Sequence, residues 1–425
     1  MQHRNVLVIA YYFPPMGLSG VQRTLKFVKY LPGHGWSPIV LTTDSPAYYA
    51  FDDTLERDID PEFTHIYRTP PDITKYVKPK EGSTLKYPSR FAQKLRRIAL
   101  QTFLQPDSRR SWRKPALKLG EEIISKHNID VIYATAPPFT DFWIGLELAE
   151  KFDIPLVVDY RDLWVDNAYY FYATPFHKLW ASNLEAKILT HSKKAIVTAR
   201  NLKEKLIKRY SFLSHQDVTI IPHGYDPEDF MPHRDVRPDP SKFVISHVGL
   251  FPDDLTPKYF LRALAQFLKN NPEAKRNLEA RFVGVMRKGY LKMITKYGLS
   301  ENARIVGYVP HEESVRHLCE SDVLWMMMPN NIATPSRLYE YLGAGRTLLV
   351  SAPRGVIRQT AEDSGGAITT DPRDVAEIAE AIGKLYSLWK AKRLPVPNPK
   401  YVATFDRRKL TQDLARELAY ATKIY

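Results

Sequence analysis

The sequence predicts an α/β protein made of two doubly wound units, each a parallel sheet covered by helices on both faces. Three observations carry that prediction. The chain has 425 residues, more than one ordinary core accommodates. Short apolar, β-branched runs alternate with amphipathic helical patterns through both halves, as expected of buried strands joined by crossover helices. The alternation breaks at HGYDPEDFMPHRDVRPDPSK, residues 223–242, which is rich in proline and charge, lacks periodicity and reads as a linker.

In the first half, NVLVIAYY reads as a buried strand. GVQRTLKFVKYLPGHG follows as a helix starting near Val21 and stopped by Pro32 and Gly33, and SPIVLTTD as the next strand. Further on come helix ALKLGEEIISKHNI, strand DVIYATAPP, helix TDFWIGLELAEKFDI and strand PLVVDYRDLW. The segment NLEAKILTHSK leads into strand KAIVTA, helix RNLKEKLIKRYS and strand VTIIPHGYD. In the second half FVISHVGLF, ARFVGVM, ARIVGYVP, DVLWMMMP, TLLVSAP and GAITT read as short buried strands, with helices such as PKYFLRALAQFLKNN and SRLYEYLGAG between them. PVPNPKYVATF breaks the pattern before a last helix, DRRKLTQDLARELAYATKI. The expected domains are residues 1–235, Rossmann-like with a basic insertion at about 70–118 and completed by a C-terminal helix at 405–425, and residues 240–400, a second Rossmann-like domain.

Composition narrows the class. No window approaches the roughly 18 unbroken apolar residues of a membrane span. The N-terminal apolar run is too short for a secretory signal, so a cytoplasmic location is expected. The single cysteine, Cys319, excludes an intrachain disulfide or a cysteine zinc cluster and reads as a core thiol. The formal charge of +14 implies attraction to polyanions. Much of it lies between Lys75 and Lys118, where thirteen Lys/Arg face only Glu81 and Asp107, a net +11. Aromatic and aliphatic residues are interleaved there, which suits either an anionic membrane surface or an insertion packed on its parent domain.

Two glycines, Gly17 and Gly20, follow the first strand and precede a helix, so backbone there can approach an anion while the helix aims N–H groups at it. No G-x-G-x-x-G dinucleotide fingerprint is present. In TPSRLYEYLGAGRTLLV, Ser336 is a candidate helix cap with Arg337 in the first turn. Glu340 reads either as the far half of a capping box or as an acceptor of two hydrogen bonds from a ribose diol. Asp159, Arg161 and Asp162 at the end of a strand read either as an acid and cation facing a cleft, with Asp162 orienting or deprotonating an acceptor hydroxyl, or as an internal ion pair. Asp58-Ile59-Asp60 imitates a metal-binding D-x-D but does not end an apolar strand. His34, His177, His191 and His317 read as structural, and His223 as a ligand contact or part of the hinge.

Taken in order, YYFPPMGLSGVQRTLKFVKYLPGHGWSPIVLTT, VVDYRDLW, IIPHGYD, FVGV, IVGYVPHEE and TPSRLYEYLGAGRTLL resemble a GT-B glycosyltransferase of the retaining, family 4-like group that makes bacterial surface polysaccharides. The resemblance implies two Rossmann-like domains facing each other across a cleft. It implies a nucleotide-diphosphate-sugar donor held by the second domain, a glycan or lipid-linked acceptor at the first, and no cofactor or metal. By that resemblance Gly17 and Gly20 match the loop facing the diphosphate, Glu340 the glutamate that holds the ribose, and Lys258 a cationic position near the diphosphate. Tyr308 and Val309, within Gly307–Pro310, match the loop against the base. The chain departs from the family at Ile332, where a first glutamate would stand eight residues before Glu340, and at Leu255, often basic; Asn330 and Asn331 are candidate substitutes for the glutamate.

Two other readings predict different ligands: a sugar-nucleotide oxidoreductase or epimerase would bind nicotinamide, and a non-catalytic polyanion-binding protein would be indifferent to nucleotide-sugars. No compact RNA-binding module is recognisable, so nucleic acid is not an expected partner.

Overall fold

The computed structural model of the protein describes residues 4–17, 19–44, 51–70, 104–167, 170–251, 255–331 and 334–423. The lysine-rich stretch up to residue 103 and Ile332 therefore lie outside the described residues. The described residues divide into two compact units, one running to His223 and resuming at Arg407, the other spanning Gly224–Asp406.

In the first unit the elements run β1 (Arg4–Ile9), α1 (Ser19–Tyr30), β2 (Trp36–Thr43), β3 (His65–Thr69), α2 (Arg113–Lys126), β4 (Val131–Ala136), α3 (Thr140–Phe152), β5 (Leu156–Tyr160), α4 (Pro175–His191), β6 (Ser192–Val197), α5 (Arg200–Arg209) and β7 (Val218–Ile220). The sheet order is β3-β2-β1-β4-β5-β6-β7, and every pairing is parallel. The edge strand β3 was not expected from the sequence. Its HIYRT is mostly half-exposed and only five residues long, so it lacks the apolar run that marks the inner strands.

The second unit contains α6 (Pro227–Phe230), β8 (Phe243–Val248), α7 (Lys258–Asn270), β9 (Leu278–Val283), α8 (Lys288–Lys296), β10 (Ala303–Gly307), α9 (His311–Cys319), β11 (Val323–Met327), α10 (Arg337–Gly343), β12 (Thr347–Ser351), α11 (Val356–Asp363), β13 (Ala367–Thr370), α12 (Val375–Lys390) and α13 (Pro399–Val402). Its sheet order is β10-β9-β8-β11-β12-β13, again parallel throughout. Helix α7 shows why these segments fold. Phe260, Leu261, Leu264, Phe267 and Leu268 are buried at helical spacing, and Phe260 stacks on Trp325 of β11 with centroids 4.1 Å apart.

The last helix, α14 (Arg407–Ala421), belongs to the first unit. Its buried Leu410, Leu414 and Leu418, four residues apart, join Val21, Leu25 and Val28 of α1 in one core cluster with Val8, Tyr133 and Val157 of the sheet. Each sheet has a point where the strand order reverses, between β1 and β4 in the first unit and between β8 and β11 in the second. Ligands of doubly wound sheets bind outside the carboxyl ends of the strands at such points.

Candidate active site

In the second unit three neighbouring strands, β10, β9 and β8, end in a valine-glycine pair: Val306-Gly307, Val283-Gly284 and Val248-Gly249. All three glycines have left-handed φ, +90°, +121° and +126° respectively. Their backbones are in close contact. The Gly284 amide donates to the Gly307 carbonyl at 2.6 Å, and a Cβ on Gly284 would lie 2.5 Å from the Gly249 oxygen. The result is a rim of bare backbone.

Onto that rim comes the guanidinium of Arg337, the first residue of α10. Its Nη1 donates to His247 Nε2 at 3.2 Å and its Nη2 to the Leu250 carbonyl at 3.4 Å. It also fills the space a side chain at Gly249 would need, since a Cβ there would lie 2.0 Å from Nη2. His247 accepts because its other nitrogen is committed: Nδ1 faces the Trp325 carbonyl at 3.1 Å, which can only accept. Burial, reinforced by the Arg337 charge, holds the His247 pKa well below its ordinary value, so the ring is neutral. Stacking on Phe251 at 4.1 Å fixes its plane. Arg337 is therefore half-buried and held by two neutral acceptors. Among the described residues no carboxylate pairs with it.

Ser336 does not cap α10. Its φ and ψ, −58° and −28°, are already helical and its hydroxyl makes no cap hydrogen bond, so only its carbonyl starts the helix. This corrects the expected cap, and the capping-box reading of Glu340 loses its partner with it. The Glu340 carboxylate, half-buried, makes no hydrogen bond or ion pair among the described residues. Lys258 opens α7 after β8, with its amide on the Thr256 hydroxyl and its ammonium 5.5 Å from the Tyr259 ring. Tyr308 and Val309, both half-buried, follow Gly307 at the end of β10. All six predicted residues of this unit thus sit on loops or helix starts at the carboxyl edge of its sheet. Asn331 is exposed, and its amide donates to the Arg354 carbonyl at 3.3 Å.

In the first unit the strand-end trio separates into three roles. Asp159 does not face an open surface; it is fully buried and accepts from Arg23 Nε and Nη2 at 2.8 Å each, Tyr133 Oη at 2.8 Å and Thr135 Oγ1 at 3.1 Å. Burial alone would raise its pKa, but the charge and hydrogen bonds of Arg23 outweigh that and hold it below the usual range. Arg23 goes on to the carbonyls of Ile221 and Pro222, tying α1 to the segment after β7. The internal ion pair is real, but its cation is Arg23. Arg161, predicted as catalytic, donates to the carbonyls of Gly20, Ala136 and Pro137, so its guanidinium ties the first turn of α1 to the end of β4. Asp162 next to it is half-buried, and burial raises its pKa against the opposing charge of Arg161.

Helix α1 starts at Ser19, two residues earlier than expected, so Gly20 lies in its first turn; Gly17 is buried beside Met16, which bridges to Phe51. His223 is buried among Arg23, Arg407 and Arg161, and burial and those charges keep it neutral. Asp58, the discarded D-x-D aspartate, binds Lys26 and Lys29 at 2.5 and 2.7 Å. Cys319 is buried, as the helical pattern suggested. Sequence reasoning missed Asp141, whose Oδ2 accepts the Tyr11 amide at 2.9 Å beneath the end of β1 and whose pKa burial pushes well above the carboxylate range. It also missed His247. The repeated valine-glycine pairs were a visible signal for the rim; nothing local marked either of these residues.

Two doubly wound parallel α/β units in one chain are the architecture of the GT-B class. Residues 19–229 match the family described as Glycosyltransferase Family 4, and residues 232–396 match Glycosyl transferases group 1. The chain belongs to the family 4-like GT-B glycosyltransferases. A search of the curated proteins found no match. Among solved structures it shares its fold with the sucrose-phosphate synthase (tll1590) from Thermosynechococcus elongatus, at 15% identity and TM-score 0.65, covering 99% of this chain and 96% of that one. It is similarly close to Anabaena HepE solved in complex with UDP-glucose, at 14% identity, TM-score 0.65, 98% of this chain and 100% of that one. A glycosyltransferase from Rickettsia africae matches at 15% identity and TM-score 0.64, covering 99% of both chains.

Proposed function

We propose that the protein transfers a sugar from a nucleoside-diphosphate-sugar to a hydroxyl of a glycan or lipid-linked acceptor, with retention, in the synthesis of a surface polysaccharide. One observation carries the donor half: Arg337 and Glu340, three residues apart on α10, each leave their charge uncompensated among the described residues. Opposite charges at that spacing on a helix ordinarily pair with each other. Here the guanidinium is held back on the glycine rim, ready for an anionic diphosphate, and the carboxylate is free to accept two ribose hydroxyls. Lys258 adds a second cation. Tyr308 and Val309 flank the base. These cations take the charge-neutralising part that a divalent metal plays elsewhere, so we propose a metal-independent reaction without a cofactor. The UDP-glucose complex of HepE, a protein of the same fold, supports a nucleotide-sugar donor.

In the reaction the bond from the anomeric carbon to the diphosphate oxygen breaks, and the bond to the acceptor oxygen forms. Negative charge grows on the departing diphosphate, where Arg337 and Lys258 stabilise it by fixed electrostatics. Asp162 orients the acceptor hydroxyl and takes its proton; its burial-raised pKa makes it a stronger base than an exposed aspartate. Arg161 ties the first turn of α1 to the end of β4 beside it.

Thermal denaturation against UDP-, GDP- and dTDP-sugars tests the donor half. A ligand at 100 times its Kd stabilises by about 2.7 kcal/mol, a rise of several degrees in melting temperature. Glu340→Ala is expected to abolish the rise. Indifference to the whole panel, or an undiminished rise in Glu340→Ala, refutes the assignment.

A further inference from the structure

The first sheet ends at β7, whose only strand partner among the described residues is β6. The Ala195 amide donates to the Asp217 carbonyl at 2.9 Å and the Ile221 amide to the Val197 carbonyl at 3.0 Å, so Asp217 and Ile221 turn their backbone groups towards β6. Residues of a parallel strand bond to one side in alternation. Val218 and Ile220 therefore point their N–H and C=O groups away from the sheet, the state of an open edge.

Beside that edge runs a groove of about 420 Å³. It is lined by β7 itself, Lys194 of β6, Lys203 of α5, His215 of the turn before β7 and Tyr420 of α14, and the lining contains no acid. Ile220 and Tyr420, 39% and 46% exposed, give it an apolar floor. The cations are held in place. Lys203 donates to the His215 carbonyl at 2.8 Å. Lys194 donates to the Gln216 carbonyl, with its ammonium 4.5 Å from the Tyr420 ring and 3.5 Å from Glu417. An ammonium has three protons, so each lysine keeps a donor for a further acceptor. Lysine on an edge strand ordinarily blocks pairing, but neither lysine belongs to β7, and its Val-Thr-Ile carries no charge or proline to protect the edge.

We propose that this edge binds an extended acidic segment of another protein, which adds a strand to β7 through the outward groups of Val218 and Ile220 and lays its carboxylates against Lys194, Lys203 and His215. Main-chain hydrogen bonds of this kind supply affinity, and the side-chain groups beside the edge supply specificity. Charge decides the occupant. A second copy of the chain, related by a two-fold axis, would set the same lysines and histidine against themselves. The groove lies towards the start of β6 and β7, whereas Asp162 follows the end of β5, so the segment and a substrate occupy opposite ends of the strands.

Fluorescence anisotropy with labelled hexapeptides of alternating glutamate and valine, or of lysine and valine, tests the proposal on the full chain, and needs no nucleotide. The acidic peptide is expected to bind and the basic one not, with hydrogen exchange of the Val218 and Ile220 amides slowed about tenfold or more at saturation. Ile220→Pro removes one outward donor while leaving the ladder to β6 intact, and is expected to weaken binding by about tenfold or more at unchanged melting temperature. Lys203→Glu with His215→Glu should reverse the preference between the two peptides. Failure of the wild type to bind the acidic peptide overturns the proposal, as does equal binding of both peptides, unchanged exchange at Val218 and Ile220, or full binding by either variant. A wild type that is dimeric in sedimentation, with Ile220→Pro monomeric, would instead make the edge an interface between copies and overturn it too.

Discussion

Replacing Gly249 by alanine tests whether the glycine rim exists to seat Arg337. The new Cβ would lie 2.0 Å from Nη2, 2.5 Å from Cζ and 2.7 Å from Nε of Arg337. Ordinary contact needs about 3.5 Å, so the guanidinium must retreat by about 1.5 Å. Hydrogen bonds of 3.2 and 3.4 Å to His247 and Leu250 do not survive such a shift. A charged hydrogen bond to the diphosphate is worth about 1.5–3 kcal/mol, which becomes about a 10- to 150-fold rise in Kd for a nucleoside diphosphate. The φ of +126° adds a stability cost of about 1–2 kcal/mol, separable by urea denaturation. Calorimetric titration closes a double-mutant cycle: Gly249→Ala is expected to weaken nucleotide binding strongly in wild type and little in Arg337→Ala. Equal losses in both backgrounds refute the argument, because the glycine would then act on the ligand without the arginine.

Three further outcomes follow from buried groups. Arg23→Ala strands the Asp159 carboxylate in the core and is expected to cost about 3–5 kcal/mol in urea denaturation, whereas a loss under 1 kcal/mol would mean the carboxylate finds other compensation. Burial pushes Glu185, bonded to the Tyr210 hydroxyl at 2.7 Å, up to about 7. Its folded pKa exceeds its unfolded one, so its stabilisation is full below the unfolded pKa near 4.5 and is lost as pH rises to 7, by up to about 3 kcal/mol; Glu185→Gln should flatten that slope. Ser336→Ala should leave stability within about 0.5 kcal/mol, while Asp374→Ala, which removes a cap serving the amides of Ala376 and Glu377, should cost about 1 kcal/mol.

The inner strands were legible because each is covered on both faces and reads as an unbroken apolar run; β3 escaped because a five-residue edge strand that is mostly half-exposed has no such run. The place of Lys258, Tyr308, Arg337 and Glu340 at the carboxyl edge of the second sheet was legible, since each follows a strand whose end could be counted off. Local pattern misled at Ser336. A serine before an apolar helix suggests a cap, but here the helical turn has begun by that residue, and its hydroxyl no longer reaches a free amide. The Arg23–Asp159 pair spans 136 positions, and no periodicity couples them. Arg161 was read as a cation facing a cleft or as part of an ion pair with its neighbours because arginine beside aspartate at a strand end invites both readings; only the fold brings three carbonyls to it.

Helix α14 has a consequence for how the molecule is made. Leu410, Leu414 and Leu418 fill the same core as Val21, Leu25 and Val28, so the unit begun first during synthesis lacks part of its interior until residues 407–421 emerge. The whole of the second unit is translated in between. A nascent chain from which residues up to 406 have emerged should therefore hold a finished second unit and a first unit still exposing α1, the species on which chaperone dependence and premature proteolysis would act.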